Sequence, residues 1–109
     1  MRNYVFISNK GAQDIIEEHL DKFHINRSAL EISKNAKGKV IHFHNSHWAK
    51  RLIDFVDDQR NIISYDLTVM ALTQDEKRRA KETLRSLTRI SDELNLIVKQ
   101  FNEKRLANI

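Results

Sequence analysis

A run of basic side chains near the C-terminal end is the first feature of this sequence that could do chemistry. Between residues 77 and 89, six cations stand against one acid, Glu82. Four of the cations are spaced by three and four residues, so on a helix they would form one stripe. Such a stripe can bind nucleic-acid phosphates or an acidic protein, or it can be a solvated helix face. The basic stripe consists of Arg78, Lys81, Arg85 and Arg89.

A second group of candidate binding residues lies on two predicted strands. Alternation along the first predicted strand places Tyr4 and Phe6 on one side. In the predicted strand at 39–44, alternation places His42 and His44 on one side in the same way. Rings exposed on a sheet stack against unpaired bases, at about 1–3 kcal/mol per base. Two lysines at a hairpin end are candidates to hold the phosphates. The predicted nucleic-acid site on the sheet therefore comprises Tyr4, Phe6, Lys37, Lys39, His42 and His44.

Metal binding and catalysis have less support. His42 and His44 stand at alternate strand positions with His47 nearby, but no fourth ligand is identifiable. The chain lacks cysteine, a nucleophile elbow and a glycine-rich phosphate loop. We therefore expect no metal, no cofactor and no catalytic residue, and hence no enzyme.

The composition is typical of a small globular protein. The 109 residues are 40% hydrophobic and 31% charged, with a net charge of +4. The longest apolar runs, Tyr4–Ile7 and Val69–Leu72, have four residues, so neither a membrane span nor a secretory segment is expected. The absence of cysteine excludes disulfides. These features favour an intracellular location, cytoplasmic or nuclear.

The order of elements predicts an α+β fold of the ferredoxin-like β-α-β-β-α-β type. In that sandwich two helices cover one face of a four-stranded antiparallel sheet, here in the order 4-1-3-2. We place Ile41 and Phe43 inside and the histidines outside, because a buried unpaired imidazole costs about 1–3 kcal/mol. The predicted elements are strands at 3–8, 29–33, 39–44 and 62–72, with helices from about Ala12 to Phe23 and from Ser46 onward.

The last helix is predicted to form a unit of its own, residues 73–109, beside a domain of residues 1–72. Thr73 and Glu76 form a capping box, and no glycine or proline interrupts the helix up to about Leu106. Its length of roughly 50 Å means that it projects, meets a partner, or packs on its own sheet and breaks near Ser91. It could also cover Tyr4 and Phe6. Its heptad-like apolar seam, a candidate homodimer interface, contains Leu84, Leu87, Leu94, Val98 and Phe101.

Two segments resemble the motifs of the RNA-recognition motif family. Val5–Asn9 is similar to the family's first ribonucleoprotein motif, and a segment that begins at Lys37, thirty-two residues after Val5, is similar to the start of the second. In that second segment Lys39 and Ile41 stand where the family carries stacking aromatics. The resemblance also includes Phe23, Ile25 and Leu67–Val69 and spans about residues 3–72. It implies a sheet face that binds single-stranded RNA.

Two functions follow as expectations. The first is a non-catalytic RNA-binding module that uses the open sheet face and the basic helix, with single-stranded RNA as its partner. The alternative is a protein-interaction module, inhibitor or adaptor that docks on an acidic partner, or oligomerises, through the C-terminal helix.

Overall fold

The computed structural model describes residues 2–22 and 29–107 of the chain. Phe23 and Ile25, which were predicted to end the first helix and to enter the second strand, lie outside these residues. The described part contains three strands and three helices. They are β1 (Tyr4–Ile7), α1 (Lys10–Lys22), β2 (Leu30–Asn35), β3 (Gly38–Phe43), α2 (Ser46–Val69) and α3 (Gln74–Ala107).

The three strands form an antiparallel sheet in the order β1-β3-β2. Tyr4 pairs with His42 across β1 and β3, so the two side chains lie on the same face. The predicted inward orientation is confirmed, because Ile41 and Phe43 are at most 3% exposed. Alternation explains the arrangement, since a slip of one residue would bury the imidazole of His42 instead.

The residue types of the turn between β2 and β3 explain its geometry. The side-chain oxygen of Asn35 accepts hydrogen bonds from the backbone amides of Lys37, at 2.8 Å, and Gly38, at 3.1 Å. A Cβ atom on Gly38 would collide with the carbonyl oxygen of Ile7 on β1. Glycine is therefore required where β3 begins to pair with β1.

The predicted fourth strand is wrong, and with it the ferredoxin-like sandwich. Residues 62–69 continue α2, which ends where the amide of Met70 donates to the carbonyl of Asp66 at 2.9 Å. No glycine or proline stops the helix after Ser46. The apolar alternation is not the buried face of a strand, because Tyr65 is 67% exposed and Val69 55% exposed. Within residues 2–22 and 29–107 the fold is α+β with a three-stranded sheet and three helices.

Helices α2 and α3 form a helical hairpin joined by residues 70–73. The predicted capping box is confirmed: the amide of Glu76 donates to the Thr73 hydroxyl at 3.1 Å, and the Thr73 amide donates to the Glu76 carboxylate at 3.4 Å. With 34 residues α3 is about 51 Å long. It accounts for the longest dimension of the molecule, 54 Å.

The apolar seam of α3 packs inside the chain. Leu87 and Leu94 are at most 1% exposed and belong to the same core as the sheet, α1 and α2. The seam thus does not cover Tyr4 and Phe6. A partner that bound the seam would have to displace side chains from the protein's own core. The other seam residues are Leu84, which is half-buried, and Val98 and Phe101, which pack against the core.

Ser91, the polar interruption of this seam, does not break the helix. Its side chain is buried against α2, and its hydroxyl donates to the carboxylate of Asp57 at 2.9 Å. The pairing satisfies a hydroxyl that would otherwise be buried without a partner. Helix α3 therefore runs without interruption from Gln74 to Ala107.

Candidate nucleic-acid interface

One face of the sheet carries the predicted stacking residues, and the described helices pack on the other. The part of this face on β1 and β3, called the open face, consists of Tyr4 and Phe6 on β1 with Val40 and His42 on β3. Glu31 and Ser33 of β2 lie beside it. Tyr4 is 40% exposed and the other three residues of the open face are half-buried. The face therefore presents one accessible ring with a second beside it.

The rings of Tyr4 and His42 lie side by side, with centroids 5.6 Å apart and planes tilted by 38°. The guanidinium of Arg2 lies 5.0 Å from the centre of the Tyr4 ring, a cation–π contact. An ion pair of 3.0 Å with Glu93 on α3 holds Arg2 in this position. Sequence reasoning missed Arg2, although its spacing of two residues from Tyr4 places both on one side of an extended chain.

Among the described residues, two of the four cations of the basic stripe are unpaired, and a third is only weakly paired. Arg78 contacts Asp75 at 3.3 Å, but both side chains are largely exposed, so the contact is weak. Lys81 and Arg85 are exposed and form none of the ion pairs within the described residues. Their charges are thus available to a phosphate.

The fourth stripe residue, Arg89, joins α3 to the edge of the sheet. Its guanidinium donates to the carbonyl oxygen of Phe6 at 2.9 Å and contacts Glu93 at 3.2 Å. Because β1 lies at the edge of the described sheet, this contact satisfies a carbonyl that none of the described strands reaches. The stripe therefore ends at the border of the open face.

The remaining predicted residues divide between accessible and inaccessible positions. Lys37 is exposed in the hairpin turn, and His44 is exposed just after β3. Lys39 faces the helices, as Ile41 does, and is 7% exposed with its ammonium paired to Glu17 of α1. Lys39 therefore cannot reach a ligand on the open face.

A separate aromatic cluster lies between α1 and α2. The rings of His19 and Phe55 stack at 3.7 Å with an angle of 13°. The guanidinium of Arg51 lies 5.0 Å from the Trp48 ring. Burial, then the charges of Lys22 and Arg51, hold the pKa of His19 below its usual value of 6.5.

The structure also bears on metal binding and on membrane spanning. Among residues 2–22 and 29–107, no three His, Asp or Glu side chains are arranged to hold a metal ion. Within the same residues, no helix combines the length and the apolar character needed to cross a membrane.

Comparisons with protein-family models, curated proteins and solved structures found no match. The likeness to RNA-recognition motifs thus stays a prediction drawn from β1 and β3. Its expected fourth strand is contradicted, since Leu67–Val69 belongs to α2.

Proposed function

We propose that this protein is a non-catalytic module that binds single-stranded RNA on two adjoining surfaces, the open face and the basic stripe. The observation that carries the proposal is the hydrogen bond from Arg89 to the Phe6 carbonyl. It brings the end of the stripe against the strand that carries Tyr4 and Phe6. One extended strand of RNA can therefore contact both surfaces.

Each surface supplies a different part of the binding. Unpaired bases stack on the ring of Tyr4, beside His42, and Arg2 keeps a positive charge next to the ring. The cations of Lys81 and Arg85 hold the phosphates that follow. Arg78 and Arg89 are eleven residues apart, so the stripe is roughly 16 Å long, enough for a few nucleotides.

The alternative, docking of a protein through the apolar seam of α3, has lost its main support. Leu87 and Leu94 are buried within the chain, so the seam cannot bind a partner without opening the core. An acidic protein on the stripe would leave the exposed ring of Tyr4 without a role. We therefore favour RNA.

The stripe is tested by removing its two unpaired cations. Binding of a short labelled single-stranded RNA is followed by fluorescence anisotropy at a series of salt concentrations. Relative to the wild type, Lys81→Gln with Arg85→Gln should flatten the slope of log K against log salt by about 1.4, since each contact with a single strand contributes about 0.7. The matched control is Lys50→Gln with Lys104→Gln, which removes the same charge at exposed positions outside the stripe.

The open face is tested by two substitutions of one residue. Tyr4→Ala should weaken binding by about 1–3 kcal/mol, because a stacked base loses its ring. Tyr4→Phe keeps the ring and should bind as the wild type does. Equal affinity of Tyr4→Ala and Tyr4→Phe would remove the open face from the site, and a wild type that fails to bind RNA even at low salt would refute the proposal.

A further inference from the structure

The end of the helical hairpin that is distant from the sheet has no core of its own. None of residues 57–86, all of which are described, is buried. Large apolar side chains are instead exposed there: Ile62 is 52% exposed, Tyr65 67% and Val69 55%. Exposed apolar surface of this kind, concentrated on one segment, marks an interaction site.

These three residues continue a regular pattern along one side of α2, which is half-buried at Trp48 and Phe55 and exposed beyond them. The spacing alternates between three and four residues over the length of the helix, as in a coiled-coil seam. The fully buried residues of α2 are a different set, Ala49, Leu52 and Val56. Trp48 and Phe55 are half-buried and pack against the core. The outward seam consists of Trp48, Phe55, Ile62 and Val69 at one set of heptad positions and Arg51, Asp58 and Tyr65 at the other.

We infer that the outward seam of α2 packs antiparallel against the same seam of a second copy of this chain. Charge selects the orientation. In a parallel pair Arg51 would face Arg51 of the other copy, and Asp58 would face Asp58. In an antiparallel pair the two kinds of heptad position face each other. With Phe55 opposite Asp58, Arg51 of one copy faces Ile62 and lies one helical turn from Asp58 of the other. An in-register parallel pair thus opposes like charges, whereas the antiparallel pair brings opposite charges together.

The shape of the seam supports the same arrangement. A concavity of about 250 Å³ lies along its first half, lined by Trp48, Arg51, Phe55 and Asp58 together with His19 and Asp54. When Phe55 of one copy faces Asp58 of the other, Tyr65 of the second copy faces Trp48. The exposed ring of Tyr65 then fills the concavity, and twofold symmetry repeats the contact. The two hairpins together make a four-helix bundle, which buries Ile62 and Tyr65.

This inference goes beyond RNA binding and leaves the stripe free. Its interface is on α2, whereas Lys81 and Arg85 are on α3. The association is therefore measurable without any nucleic acid.

Sedimentation equilibrium over a range of protein concentrations tests the second copy as the occupant. The wild type should be a dimer, and Ile62→Asp or Tyr65→Asp should be monomeric with an unchanged helical circular dichroism, because both residues are exposed in the single chain. The matched control is Leu96→Asp, a residue of α3 that is 45% exposed outside the seam, and it should remain a dimer. A wild type that is monomeric at every concentration, or dimers that survive both seam substitutions, would overturn the inference.

A charge exchange tests the antiparallel orientation. Arg51→Asp alone and Asp58→Arg alone should each raise the dissociation constant of the dimer several-fold, because like charges then meet. The double variant should return towards the wild type, since each copy again offers opposite charges. A double variant that dissociates as readily as the weaker single variant would contradict the antiparallel seam.

Discussion

Replacing Leu94 by alanine tests whether α3 packs inside the chain. Leu94 is 1% exposed and lies among core residues of α3 that are equally buried, Leu87, Ile90 and Ile97. Truncation of a leucine in such a position removes buried apolar surface and leaves a cavity. The free energy of unfolding should therefore fall by about 2–5 kcal/mol.

Leu96 provides the matched control, because the same substitution two residues along the same helix has a different environment. Its side chain is 45% exposed, so Leu96→Ala should change the free energy of unfolding by less than about 1 kcal/mol. Urea unfolding of both variants at two protein concentrations gives the comparison. The loss for Leu94→Ala should be the same at both concentrations, since the core belongs to one chain.

Two results would refute this reasoning. If Leu94→Ala were as mild as Leu96→Ala, the seam of α3 would not be in the core. If its effect were confined to the association of chains, with the stability of the monomer unchanged, the seam would be an intermolecular interface instead.

Three smaller predictions concern single residues. The free energy of unfolding should fall as the pH drops below 6.5, because the unfolded chain protonates His19 at a higher pH than the folded chain does. Thermal unfolding of His19→Phe, measured across this pH range, should lack that part of the pH dependence. Gly38→Ala should destabilise the sheet by more than about 1 kcal/mol in urea unfolding, since its Cβ would collide with the carbonyl of Ile7. Thr73→Ala should cost about 0.5–2 kcal/mol in the same assay, because the amide of Glu76 loses its cap; an unchanged midpoint would show that the cap is dispensable.

The three strands and the register between β1 and β3 were predictable from residue types because they depend on local alternation. Ile41 and Phe43 alternate with His42, and burial of apolar rather than imidazole side chains selects one register. The turn at Asn35 and the cap at Thr73 were equally local, since each side chain bonds a backbone amide within three residues. These features need no knowledge of the rest of the chain.

The length of α2 was not predictable in this way. Tyr65 and Val69 alternate with polar residues as they would on a strand, yet both are exposed on a helix. The alternation therefore did not indicate which side chains are buried within this chain. This error led to a second one. With a strand at 62–72, no long helix was available to pair with α3, and the helix that contains Leu94 was predicted to project, to meet a partner or to pack on the sheet. A continuous α2 supplies that partner.

The central claim is that the open face and the basic stripe bind one RNA strand together. Backbone amide chemical shifts, followed by NMR during a single titration with short single-stranded RNA, test it most directly. The account predicts that the amides of Phe6 on β1 and Arg85 on α3 shift along one common binding curve, while that of Asp14, exposed on α1, does not move. Shifts confined to one of the two surfaces, or two curves that saturate at different RNA concentrations, would contradict it.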